Sequence, residues 1–133
     1  MMAHSLLTEE LSNKSELPIL LARLAGLQGV AVPAHRFAFQ ASTSEGLEVE
    51  NLDLPERAIA LWRERFVSSK IDQVSGSKLT KGQLPAIWVS EDNVKVWLIR
   101  GIQNRKFLLE GADRHMKSVT EKFLFTGTCL LLE

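Results

Sequence analysis

Leu17, Leu20, Leu21, Leu24 and Leu27 recur at spacings of three and four, which places them on one face of a helix. Ile19, Ala22 and Ala25 widen that face, so the helix is expected at the centre of the core. Ser15 reads as its N-cap, with Glu16 and Pro18 in the first turn, and Gly26 and Gly29 end the run. The spacing predicts a helix from Glu16 to Leu27. Val30 to Pro33 is a short extended piece, and Ala34 to Gln40 reads as a second, shorter helix. Ala41 to Asn51 is polar and turn-rich. A third helix is predicted from Pro55 to Val67. Ala58, Ile59, Leu61, Trp62 and Phe66 form its apolar side, and Arg57, Arg63, Glu64 and Arg65 face water.

After Val67 the texture changes. Lys70 to Val74 reads as a short strand before a loop. Ala86 to Val89 and Val94 to Ile99 read as two strands joined by the turn Ser90-Glu91-Asp92-Asn93. Lys106 to Glu110 follows the polar turn Gln103-Asn104-Arg105. Ser118 to Phe125 reads as a helical turn, and Thr128 to Leu132 as a last, buried strand. Helices first and strands afterwards is the α+β pattern: about three helices packed on a roughly five-stranded antiparallel sheet. Residues 1–14 read as a partly flexible lead-in. Residues 15–133 read as a single domain, helical over 15–67 and mainly sheet over 68–133.

Composition narrows the chemistry more than the fold. The 133 residues are 45% hydrophobic and 24% charged, values that suit a domain able to bury a core without staples. Sixteen basic side chains balance sixteen acidic ones, which argues against a nucleic-acid binder. Cys129 is the only cysteine, so no internal disulfide is possible and a reduced setting is expected. The start has no basic head or long apolar run, so no signal peptide is expected, and no segment approaches the ~20 apolar residues of a membrane span. His4, His35 and His115 show no metal-ligand spacing, so neither a metal nor a cofactor is expected. Ser5, Ser12 and Ser15 lack a GxSxG elbow. Cys129 lies between Thr128 and Leu130-Leu131-Leu132, the setting of a buried, inert thiol.

The order of elements has a family resemblance. It rests on the first helix followed by Val30-Ala31-Val32-Pro33-Ala34-His35-Arg36-Phe37, and on Leu84-Pro85-Ala86-Ile87 opening the sheet. Lys106 to Glu110 and the closing Thr126-Gly127-Thr128-Cys129-Leu130-Leu131 complete it. Over about residues 15–133 the chain resembles the N-terminal peptidase-like domain of bacterial type I secretion ABC exporters. This is a degenerate relative of the double-glycine leader peptidases, with a papain-like fold. The resemblance implies a nucleophilic Cys at the start of the first helix, near Ser15 or Glu16, where there is none. It implies a His just after the hairpin turn, on or beside Lys95, and an acid at the end of the next strand, where Glu110 stands. Without the thiol and the imidazole, and with a lysine that stays protonated near its usual pKa of ~10.4, the three positions Glu16, Lys95 and Glu110 are vestigial.

The implied function is a non-catalytic accessory domain that binds or tethers an unfolded protein substrate for export, an RTX-type toxin or adhesin. Its other partner is the rest of the transporter, the membrane and nucleotide-binding domains. The expected place is the cytoplasmic side of the bacterial inner membrane. The chain has no GxxxxGK[ST] motif, so an excised domain is expected. Trp88 and Trp97, on neighbouring strands beside Lys95, are candidate substrate contacts, since an indole offers a flat surface to an extended peptide. Trp62 reads as core, and Arg57, Arg63 and Arg65 as a solvated helix face. Two other readings stay open: a free-standing cytosolic α+β adaptor or regulator, and an active leader-processing peptidase using Cys129.

Overall fold

A computed structural model describes residues 16–38, 52–66 and 71–132. The lead-in, Ser15 with its expected cap, the loop over 41–51, His4, Ser5 and Ser12 all lie outside these residues. The first helix, α1, runs over residues 16–27, as its leucine spacing predicts. A short α2 (Ala34–Ala38) and α3 (Leu54–Arg65) follow. Asp53 caps α3: its Oδ1 accepts the N–H of Glu56 at 2.9 Å, and Pro55 occupies the first turn, where its missing N–H costs nothing.

The remaining elements are β1 (Ile71–Ser75), two single 3₁₀ turns (Gly76–Lys78 and Lys81–Gln83), β2 (Ala86–Ser90), β3 (Val96–Gln103), β4 (Lys106–Glu110), β5 (Met116–Val119), the one-turn α4 (Glu121–Leu124) and β6 (Gly127–Leu132). The strands form one six-stranded antiparallel sheet in the order β1-β6-β2-β3-β4-β5. The α+β architecture holds, with one strand more than expected. The helical turn expected within 118–125 is present as α4, and the unexpected strand lies just before it: Met116 to Val119 pairs with β4, Lys117 opposite Leu109.

β3 also starts two residues later than expected. The Ser90 hydroxyl accepts the N–H groups of both Val94 and Lys95, and Asn93 adopts φ 59°. Val94 and Lys95 therefore belong to the turn, and pairing begins with Val96 opposite Val89.

Alternation along the strands separates two cores. Ile71, Ile87, Val89, Val96, Leu98 and Leu130 point to the helices and pack with Leu17, Leu20, Leu21 and Leu24 of α1, all fully buried. Phe37 and Trp62 stack within this layer, 6.3 Å between centroids, and Phe66 lies 4.4 Å from Trp62. Trp62 is thus core, as expected. Arg57 is not solvated: it is buried, and its Nη2 donates to the Leu52 carbonyl at 3.2 Å. Its aliphatic stem belongs to the packed side of α3. Arg63 and Arg65 are exposed, as expected.

The opposite face carries Ala86, Trp88, Ile99, Phe107, Leu109, Cys129 and Leu131, covered by Leu124 of α4. The cover is close. A Cβ on Gly76 would lie 1.6 Å from the Leu124 carbonyl oxygen, so only glycine lets the 3₁₀ turn pass beneath α4. No helix among the described residues is long and apolar enough to cross a membrane.

Candidate functional site

Leu109 faces the second core, so the next residue, Glu110, faces the helices. There it is 7% exposed and meets two arginines. Arg23 Nη1 of α1 donates to Glu110 Oε2 at 3.2 Å, and Arg100 Nη1 of β3 donates to Oε1 at 3.1 Å. Arg23 also donates to two backbone carbonyls beyond β4, Gly111 through Nη1 and Ala112 through Nη2, both at 2.7 Å. Two guanidinium groups share one carboxylate, and one of them closes the turn after β4 onto α1. The arrangement fixes geometry and leaves no lone carboxylate to orient an imidazole.

The three positions to which the resemblance pointed occupy separate places. Glu16 opens α1. Glu110 reaches that helix at Arg23, two turns or roughly 10 Å further along the axis. Lys95 is exposed at the hairpin and lies close enough to Lys117 to bear on its ionisation, on the side of Trp97 and away from α1. Its neighbour Val96 is the residue of this strand that faces α1, and it is buried at 3% exposure. A shift of one residue along a strand changes the face, so the residue beside Lys95 that faces the helices is aliphatic.

The aromatic candidates divide likewise. Trp88 is 3% exposed and its Nε1 donates to the Leu124 carbonyl at 3.1 Å, so it anchors α4 from beneath. Phe123 lies 5.0 Å from it. Trp97, directly opposite Trp88 in the sheet, is half-buried. The Lys117 ammonium stands 4.5 Å from the Trp97 ring centre and 4.6 Å from that of Phe123. Desolvation lowers the Lys117 pKa from the usual lysine value, and the positive charge of Lys95 lowers it further. The Trp97 Nε1 is buried without an acceptor among the described residues. Trp97 and Lys95 are thus brought together with two residues that the sequence reading did not single out, Lys117 and Phe123.

Cys129 lies fully buried between β1 and β2, opposite Val74 and Trp88. Burial pushes its thiol pKa up to about 12, the reverse of what a thiolate nucleophile requires. His35 and His115 are exposed, and the described residues contain no group of three His, Cys, Asp or Glu side chains able to hold a metal. A polar cleft of about 330 Å³ lies by the hairpin, lined among others by Asp53, Gln73, Ser90, Glu91 and the exposed Phe125.

No family model matches the chain, and no curated protein matches it. Among solved structures it is similar to the crystal structure of the N-terminal peptidase C39-like domain of the toxin secretion ATP-binding protein from Vibrio parahaemolyticus. The TM-score is 0.59 at 18% identity, over 89% of this chain and 95% of that one. Nearly the whole of one domain thus overlies nearly the whole of the other. The chain has the papain-like α+β fold of a peptidase C39-like domain.

Proposed function

We propose that this domain is the non-proteolytic, peptidase-like part of a type I secretion ABC exporter, and that it holds an unfolded protein substrate ready for export. The observation that carries the reading is the end-to-end likeness to the peptidase-like domain of a toxin secretion ATP-binding protein. Three features of the chain support the absence of proteolysis. Glu16 stands where the nucleophile belongs. Lys95 points away from α1, with buried Val96 as its helix-facing neighbour. Glu110 is committed to Arg23 and Arg100. In this reading the partners are the transporter's membrane and nucleotide-binding domains and an unfolded cargo of the RTX toxin or adhesin kind, met on the cytoplasmic side of the inner membrane.

Trp97 and Lys95 are the contacts on the substrate side, and Trp88 holds the surface beneath them. An extended peptide offers unpaired backbone groups and accessible side chains that a folded protein hides, so binding selects the unfolded form. A cargo that must be handed on needs only modest affinity, on the order of micromolar. The test is an NMR titration of the isotope-labelled domain with an RTX repeat protein, unfolded in EGTA or folded in calcium. Shifts with the unfolded form alone are expected, and equal binding of both forms refutes the reading. In parallel, double-glycine leader peptides are expected to stay intact by mass spectrometry. Cleavage that disappears in Cys129→Ala would restore the peptidase alternative.

A further inference from the structure

Lys117 sits on β5, the last strand of the sheet, which pairs with β4 alone. Its ammonium lies back over two aromatic rings rather than out in solvent, and Lys95 is near enough for its charge to bear on it. Neither lysine has a carboxylate partner among the described residues. Asp92 feels the charge of Lys95, but only as the weakest of its influences, and its Oδ1 is engaged by the Ser90 hydroxyl and the Val94 N–H. The result is a half-buried aromatic platform, Trp97 and Phe123, carrying two like positive charges, with no carboxylate in ion-pair contact with either among the described residues. Aromatic rings hold an ammonium in place without neutralising it, so the site keeps its appetite for a negative group. The outer edge of β5, which pairs with no other described strand, adjoins it, and such an edge offers backbone groups to an extended chain.

We propose that this surface takes an extended, acidic segment of an unfolded polypeptide, its carboxylates meeting Lys117 and Lys95 and its chain lying along Trp97 and Phe123 at the β5 edge. This rests on the export reading and adds to it the chemical class of cargo sequence selected. Two like charges held close repel each other, and a carboxylate between them relieves that repulsion as well as pairing with each. A basic segment meets the repulsion without relief, so the site discriminates by charge.

The probes are a short unstructured Asp/Gly/Ala peptide, its Asn counterpart and its Lys counterpart, titrated into the isotope-labelled domain at low salt. The acidic peptide is expected to shift the Trp97 indole and the β5 amides. The Asn peptide is expected to bind about tenfold more weakly, and the Lys peptide not detectably. Lys95→Met/Lys117→Met keeps the aliphatic stems over the rings and is expected to erase the preference for Asp. Lys106→Met, a charge removed at the far end of β4, is expected to leave it intact. Equal binding of the Asp and Asn peptides, or an unchanged preference in the double variant, overturns the proposal. If the unfolded RTX protein still binds in that case, the export reading stands and only the charge selection fails. Loss of both overturns the two together. Shifts of the same residues by phosphatidylserine-containing vesicles, without shifts by any peptide, overturn the proposal in favour of a lipid surface.

Discussion

The two faces of the sheet are built on different principles. The helix side is aliphatic and thick: four fully buried leucines of α1 lie against Ile87, Val89, Val96, Leu98 and Leu130, and α3 adds Ala58, Leu61 and Trp62. Each buried leucine contributes about 1.5–3 kcal/mol of transfer free energy. The far side is covered by the single turn of α4, by Leu79 and Leu84 of the loop before β2, and by the Lys117 side chain. Its central indole, Trp88, spends its N–H on Leu124, while Trp97 stays half-exposed under Lys117. The helix side has the anatomy of a stability core. On the proposed reading the far side is a contact surface, where two lysines have no ion-pair partner among the described residues and aromatic area stays accessible. In a papain-like fold the chemistry is expected between the first helix and the sheet. Here that junction holds the Arg23–Glu110–Arg100 cluster and buried Val96.

The contrast breaks first if a leucine of α1 proves dispensable. Leu24→Ala removes a fully buried side chain from the thick core and is expected to cost about 2–5 kcal/mol in urea unfolding. A smaller loss is expected where the thin cover meets the sheet. Gly76→Ala forces a Cβ into the Leu124 carbonyl, and about 1–3 kcal/mol should disappear from the unfolding free energy, with local shifts in α4. Glu110→Gln leaves Arg23 with its two carbonyls and Arg100 with none of its described ion pairing. Because Arg100 is 41% exposed and screened by water, a cost of about 1–2 kcal/mol is expected, measured by thermal unfolding at low and high salt.

On the far side, Lys117→Met is expected to change stability by less than about 0.5 kcal/mol at neutral pH while removing the preference for acidic peptides. The native state binds the Lys117 proton less readily than the unfolded chain does. Wild-type stability therefore gains as pH rises through the lowered native value toward the ordinary one near 10.5, and the variant lacks that gain. The smallest effect belongs to the hairpin. The Ser90 hydroxyl and the Val94 N–H hold the Asp92 carboxyl below its usual value of 3.8. Its support for the turn is complete above that value and is lost as pH falls through the lowered one. An acid titration followed by NMR should show the Val94 amide moving with Asp92.

Much of this plan is written locally in the chain. The leucine spacing defines α1, and the strand alternation on either side of Ser90–Asn93 defines the central hairpin, because both signals act over a few residues. β5 escaped because Met116-Lys117-Ser118-Val119 places a lysine on its inward side. A lysine reads as solvent until a ring is found beneath it, and Trp97 lies far earlier in the chain. Arg57 was misplaced for the same reason, its stem being apolar and its head satisfied by Leu52. Arg23 had a local signal, a charge set within an apolar helix face, but its partners Glu110, Gly111 and Ala112 are 87 to 89 residues away. The Glu16, Lys95 and Glu110 positions were reached by resemblance. The start of β3 beside Lys95 was missed because it depends on the Ser90 hydroxyl, which holds the Val94 and Lys95 amides in the turn.

The sheet order has a temporal consequence. β6, the last strand of the chain, lies between β1 and β2, pairing Cys129 with Val74 on one side and Trp88 on the other. During synthesis the helices and the β2–β3–β4 meander emerge first, and β1 has no neighbour to join until residues 127–132 have left the ribosome. Until that moment β1 has no strand partner and the β2 edge that will receive β6 is uncovered. Closure of the domain is then a single late event with large sequence separation, β1 to β6, the kind of contact that sets a slow folding rate. A nascent chain arrested short of Gly127 would be the form of this protein most exposed to chaperones.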